Sequence, residues 1–197
     1  MTALAHLPAD FLSALRSLRS ATSRPELRLK EIPAPARLAP YAVAFEAEVS
    51  DAEDRELASG RFILLHDPDP PAVWGGAFRA VTYIRAQLEP DMGNDALLGS
   101  VAWTWLVESL DKHGARYTAA GGTATRVLSE GYGTLAGRSD TIDIELRASW
   151  TPSGLGLREH LEAWGDMVCT FGGVPPLPEG VSALTRRRRP GAEPTRR

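Results

Sequence analysis

The sequence predicts an α+β domain, a two-layer sandwich of an antiparallel sheet of about five strands with helices packed on one face. Three observations carry this. Stretches such as 41–49, 78–87 and 142–150 alternate apolar with polar or charged residues, the period of a strand buried on one side only. Longer segments near 96–113 and 157–171 place apolar residues at helical spacing. The strand segments come in runs broken by single helices, in the order αβββαββα, without the regular alternation of a parallel β/α sheet.

The stretch from Asp140 to Gly173 shows the logic most fully. Ile142, Ile144, Leu146, Ala148 and Trp150 share one face of a strand, and Asp143, Glu145, Arg147 and Ser149 share the other. Thr151 to Gly154 ends the ladder, because Pro152 has no N–H to donate. Leu157, Leu161, Trp164, Val168 and Phe171 then form the apolar stripe of a helix that Gly172 and Gly173 stop.

Earlier in the chain, Pro8 to Ser20 reads as a short helix with Phe11, Leu12, Leu15 and Leu18 on one side. From Arg24 to Pro40 four prolines (Pro25, Pro33, Pro35, Pro40) predict an extended, polyproline-like connector able to wrap a sheet edge. Strands follow at 41–49, 58–66 and 74–88, the last entered through the turn run "DPDPP" at Asp67 to Pro71. Glu89 to Asp95 reads as a loop ending in helix caps at Asn94 or Asp95. The helix at 96–113 buries Leu97, Leu98, Val101, Trp105, Leu106 and Leu110, and Gly114 closes it. Strands at 123–132 and 140–150 then pair across the glycine-rich loop 133–139. Three regions result: residues 1–40 packed on the domain, a core at 41–174, and a Pro/Arg-rich tail at 175–197 expected to be mobile.

Composition narrows the class. At 197 residues, 43% apolar and 24% charged, the chain can build one core without metal or disulfides. Cys169 is its single cysteine, which suits a reducing cytosol, and Met1 to Pro8 lacks the pattern of a secretory signal. No apolar run is long enough for a membrane span. A cytoplasmic location is therefore expected. Residues 186 to 197 hold six arginines and one glutamate, a balance of +5, which leaves −8 for the other 185 residues of a chain whose net charge is −3. An acidic body with a basic tail is not the footprint of a folded nucleic-acid-binding face.

No sequence motif with a strong chemical mechanism is present, and no cofactor, metal site or catalytic residue is assigned. "GGTATR" at Gly121 to Arg126 leads into a strand, not into the helix N-terminus a phosphate cradle needs. His66, beside Asp67, reads as a turn residue rather than an oriented base; His113 suits a helix C-terminus; His160 reads as part of a solvated helix face. Cys169 reads as a small core residue rather than a nucleophile. Trp103 lies off its helix's main stripe, so it is expected either under the N-terminal segment or exposed as an interface anchor.

The stretches "RPELRLKEIPAPARLAPYAVAFEAEV", "GRFILLHDP", "WGGAFRAVTYIRAQLEPDM", "VAWTWLVESLDKHGARY", "ASWTP" and "HLEAWGDMVC" together resemble the actinobacterial domain-of-unknown-function family numbered three thousand, from about Arg24 to Val181. The resemblance implies a cytosolic, single-domain protein and supplies no activity, cofactor or catalytic residue. The element order is also similar to that of type III secretion chaperone-like folds, whose members bind protein segments and often dimerise; that likeness is topological only.

Three functions follow as expectations. The first is a non-catalytic protein- or ligand-binding module, a homodimer among the options, using the charged sheet face or the Trp103 helix. The second is a small-molecule enzyme whose site draws on Arg79, Arg85, Arg126, Glu130, Asp143, Glu145 and Arg147, a set suited to an anionic substrate. The third is weak nucleic-acid binding by the tail through Arg186, Arg187, Arg188 and Arg189.

Overall fold

Residues 7–88, 96–154 and 156–174 are described by a computed structural model of the chain. Helix α1 (Ala9–Arg19) is followed by strands β1 (Leu27–Ile32), β2 (Tyr41–Ser50), β3 (Glu56–His66) and β4 (Phe78–Leu88). Helix α2 (Leu98–Lys112), strands β5 (Tyr117–Ser129) and β6 (Thr141–Pro152), and helix α3 (Arg158–Phe171) complete the fold. The six strands form one sheet in the order β1-β2-β3-β4-β6-β5, with every neighbouring pair antiparallel. The α+β prediction therefore holds, with one strand more.

That extra strand lies in the expected connector. Pro25 and Pro33 bracket a proline-free run, and within it Leu27 and Leu29 pair with Val49 and Ala47 of β2. Proline density measured over the whole segment hid a stretch whose every residue keeps its N–H. The order becomes αββββαββα, which departs from the five-strand order that suggested a chaperone-like topology. Strand β5 also starts earlier than expected, at Tyr117, so "GGTATR" lies inside a strand and not ahead of one. Pro152 closes β6 opposite Tyr117, at the end of the ladder, where a missing donor is tolerated.

One face of the sheet is the core. Phe45, Phe62, Thr82 and Ala148 stand in one cross-strand row, and Val43, Leu64, Ala80 and Trp150 in the next. All eight are buried, and the helices cover them. Helix α3 makes the closest approach. At Gly60 an added Cβ would fall 2.7 Å from the Tyr83 carbonyl oxygen and 2.8 Å from Trp164 Cζ2. The bare backbone at Gly60 is what lets the Trp164 indole approach β3 so closely. Phe62 joins Trp164 (ring centroids 5.8 Å) to Trp150 (6.3 Å), and Trp150 Nε1 donates to His160 Nδ1 at 3.1 Å.

His160 is thus a core residue, not part of a solvated helix face: it is 1% exposed. Its position one residue before Leu161 turns it inward at the start of α3, where the Trp150 indole needs an acceptor. Helix α1 is fastened to the same place. The first N–H groups of α3 have no cap from their own chain segment, and the Ser17 hydroxyl accepts from both Leu157 and Arg158 at 3.0 Å. Glu162 answers by accepting from the Thr22 N–H and hydroxyl.

Two outcomes follow from this core. Gly60→Ala should lower stability by about 1–3 kcal/mol through overpacking against backbone and indole, read as a reduced urea midpoint at unchanged m. Burial pushes the His160 imidazole down to about 4 from 6.5, so between those values the unfolded chain binds a proton the folded one refuses. Its stabilisation is complete above pH 6.5 and is lost as pH falls toward 4, a loss of about 3 kcal/mol at 1.36 kcal/mol per unit. Urea titrations across that window should show this slope, and His160→Gln, which keeps an acceptor for Trp150, should flatten it.

Candidate functional site

Among the described residues, no helix or strand covers most of the face of the sheet away from the helices. Its rows follow from the antiparallel register, because directly opposed residues point the same way. One row reads Glu46, Arg61, Tyr83, Arg147 and Thr123 from β2 to β5; the adjacent row reads Ala44, Ile63, Val81, Ser149 and Gly121. The second row has short or apolar side chains, and the first, Thr123 apart, has long ones. Together they shape an open groove across the strands of about 530 Å³, lined by Arg61, Ile63, Val81, Tyr83, Gly121 and Arg147 among others.

Most charged groups here are already paired. Arg85 reaches Asp143 at 2.9 Å, Arg147 reaches Glu145 at 2.7 Å, and Arg61 lies 3.6 Å from Glu46. The Arg147 guanidinium also sits over the Tyr83 ring, 5.1 Å from its centroid, while the Tyr83 hydroxyl donates to Glu145 at 3.0 Å. Burial, and then the Glu145 carboxylate, raise the Tyr83 phenol above its ordinary value. The hydrogen bond to Asp143 holds the Arg85 guanidinium more firmly protonated.

Arg79 is different. Its Nη1 donates to the Ala119 carbonyl (2.8 Å) and the Thr151 hydroxyl (3.0 Å), and its Nη2 donates to the Ser149 hydroxyl (2.7 Å). Among the described residues it has no carboxylate partner, and burial lowers its pKa. The Thr151 hydroxyl passes a further hydrogen bond to the Trp74 carbonyl, tying the 67–77 connection to the end of this face. Arg79 is a brace joining three segments: β4, β6 and the bulge in β5, where Ala119 takes a left-handed φ of 50°.

Of the seven residues proposed for an anionic-substrate site, five share this face: Arg79, Arg85, Asp143, Glu145 and Arg147. Arg126 does not. It opposes Ile144, so it points to the helix side of the sheet. The reason is the two-residue period: with β5 extended back to Tyr117, its face assignment follows from the register with β6 and not from its charge. Glu130 lies past the end of β5 and accepts from the Tyr132 hydroxyl at 3.0 Å. The carboxylates of the remaining five are engaged by neighbouring arginines and do not converge on a common point. Ser149, Gly121 and Thr123 line the groove without having been singled out; the signal was their place in the alternation, which becomes readable only with the register.

Other expectations resolve locally. Trp103 is half-buried and covers Gly122, whose added Cβ would meet its Cζ3 at 3.0 Å. His66 is 3% exposed among Phe11, Tyr41 and Phe78, and its Nδ1 has no hydrogen-bond partner among the described residues. It is a core ring and not a turn cap; burial lowers its pKa despite Asp10 and Asp67. The Asp67 carboxylate instead accepts from the Asp69 N–H. His113 Nε2 contacts Asp166 at 3.0 Å, bridging α2 to α3. Cys169 is buried, and burial pushes its thiol up to about 11. Among the described residues no group of three or more His, Cys, Asp or Glu side chains is placed to hold a metal ion, and no helix is long and apolar enough to cross a membrane. The loop caps Asn94 and Asp95 and the tail arginines Arg186 to Arg189 lie outside the described residues.

No curated protein and no solved structure matches the chain. A family model described as protein of unknown function (DUF3000) matches residues 7–182, a span that takes in every element from α1 to α3. On that match the chain belongs to the DUF3000 family.

Proposed function

We propose that the protein is a non-catalytic binding module of the cytosol that docks a protein segment across the outer sheet face. One observation carries the reading: a groove with a floor of short and apolar side chains runs across strands whose carboxylates are already neutralised by their neighbours. An apolar floor flanked by guanidinium edges suits a segment with an apolar residue to seat between Ile63 and Val81 and a carboxylate to meet Arg61 or Arg147. Both arginines remain about half exposed on their side chains, so they can take a second partner. The location rests on the single cysteine and on the absence of any sequence feature demanding an oxidising compartment.

Gly121 offers a clean test. It lines the groove, its φ is not left-handed, and an added Cβ there would meet nothing within 4 Å. Gly121→Trp should therefore fill the groove without disturbing the core. Peptides enriched by display against the full chain should carry an acidic and an apolar residue. They should bind the variant at least tenfold more weakly at an unchanged melting temperature. Enriched peptides that bind both proteins equally would place docking elsewhere.

A further inference from the structure

The sheet's two edges are built differently. Strand β1 is six residues long and carries Arg28, Lys30 and Glu31, with Arg19 of α1 paired to Glu31 at 2.8 Å. Short length and charge are the usual guards against strand addition. Strand β5 is thirteen residues long, and every residue from Thr118 to Ser129 is exposed. Its sequence, "YTAAGGTATRVLS", holds one charged side chain and no proline. Among the described residues it pairs only with β6 and ends the sheet on that side. Apolar side chains follow one another at its far end: Leu128 and Tyr132 are 57% and 74% exposed, and Leu135, three residues further on, is 45% exposed.

We infer that β5 is a dimerisation edge, pairing antiparallel with β5 of a second copy to make one continuous sheet of twelve strands. Charge selects this occupant. A strand with a single charge in thirteen matches another neutral strand, whereas the β1 edge would set charged side chains against Thr, Ala and Gly. In a two-fold pairing Arg126 meets its own copy only if the axis passes through that residue; with the axis from Thr123 to Thr125 it faces a neutral residue. Extent gives the second argument. Thirteen residues span about 40 Å, and a strip that long and about 10 Å wide covers about 400 Å² per copy. That is below the roughly 800 Å² per partner of a stable interface, so the apolar residues at the strand's end must be covered as well. The outer-face groove is not part of this contact, and the inference stands apart from the docking proposal.

The test is the oligomeric state of the full chain by sedimentation equilibrium, with two variants. Thr125→Lys and Val127→Lys together place edge lysines opposite Glu145 and Asp143 of β6, the natural way of guarding an edge without disturbing the fold. Wild type should be dimeric and the double variant monomeric at the same concentration, with the far-ultraviolet circular dichroism unchanged. Leu128→Ser, which leaves the backbone edge intact, should weaken the dimer at least tenfold. In a Cys169→Ala background, single cysteines from Thr123 to Thr125 should give a covalent dimer on oxidation only near the axis. A monomeric wild type, or a dimer that survives both lysines, would overturn the assignment.

Discussion

The closeness of α3 to β3 at Gly60 is the constraint on which the rest of the structure depends. Helix α3, fourteen residues long, brings Trp164 against β3 at a position where the sheet lacks a side chain, and Gly60 supplies that gap. With the indole seated there, Phe62 and Trp150 close around it, and Trp150 finds its acceptor in His160 of the same helix. Gly165, on α3 itself, repeats the device toward β1, where an added Cβ would stand 2.8 Å from Leu27. Two glycines, one on the sheet and one on the helix, therefore set the spacing of the two layers. Ser17 then fixes α1 to the first turn of α3, so all three helices are committed to one face.

That commitment leaves the opposite face to satisfy itself. It does so by ladders of cross-strand partners, with Arg79 as a brace between β4, β6 and the β5 bulge and with Arg147 stacked on Tyr83. Exposed pairs of this kind contribute little to stability, typically under about 1 kcal/mol each. Their larger effect is on specificity: they remove loose carboxylates from the floor of the groove and hold the guanidinium edges at its rim.

Much of this was legible in the sequence. The alternation at Ile142 to Trp150 and the stripe from Leu157 to Phe171 give both layers and their faces directly, because the two periods differ and each has one apolar side. Most of what was not legible depends on partners distant in the chain, strand register above all, which is a property of two strands. Arg126 has the charge of an outer-face residue and sits on the helix side because it opposes Ile144. His160 has two acidic near neighbours in sequence and yet is buried, because Trp150 lies across from it in space. Strand β1 was masked by the prolines around it, and the groove, being made of residues from four strands, has no local signature at all.

The central claim is that the chain covers one sheet face and leaves the groove of the other open. Thiol labelling of Val81→Cys in the full chain tests it with an internal control, since Cys169 is buried and held protonated on the covered side. The account predicts that the new thiol at position 81 reacts under native conditions at close to the rate of a free thiol, while Cys169 reacts only as the molecule unfolds. Equal protection of both would contradict it, by showing that the outer face is covered.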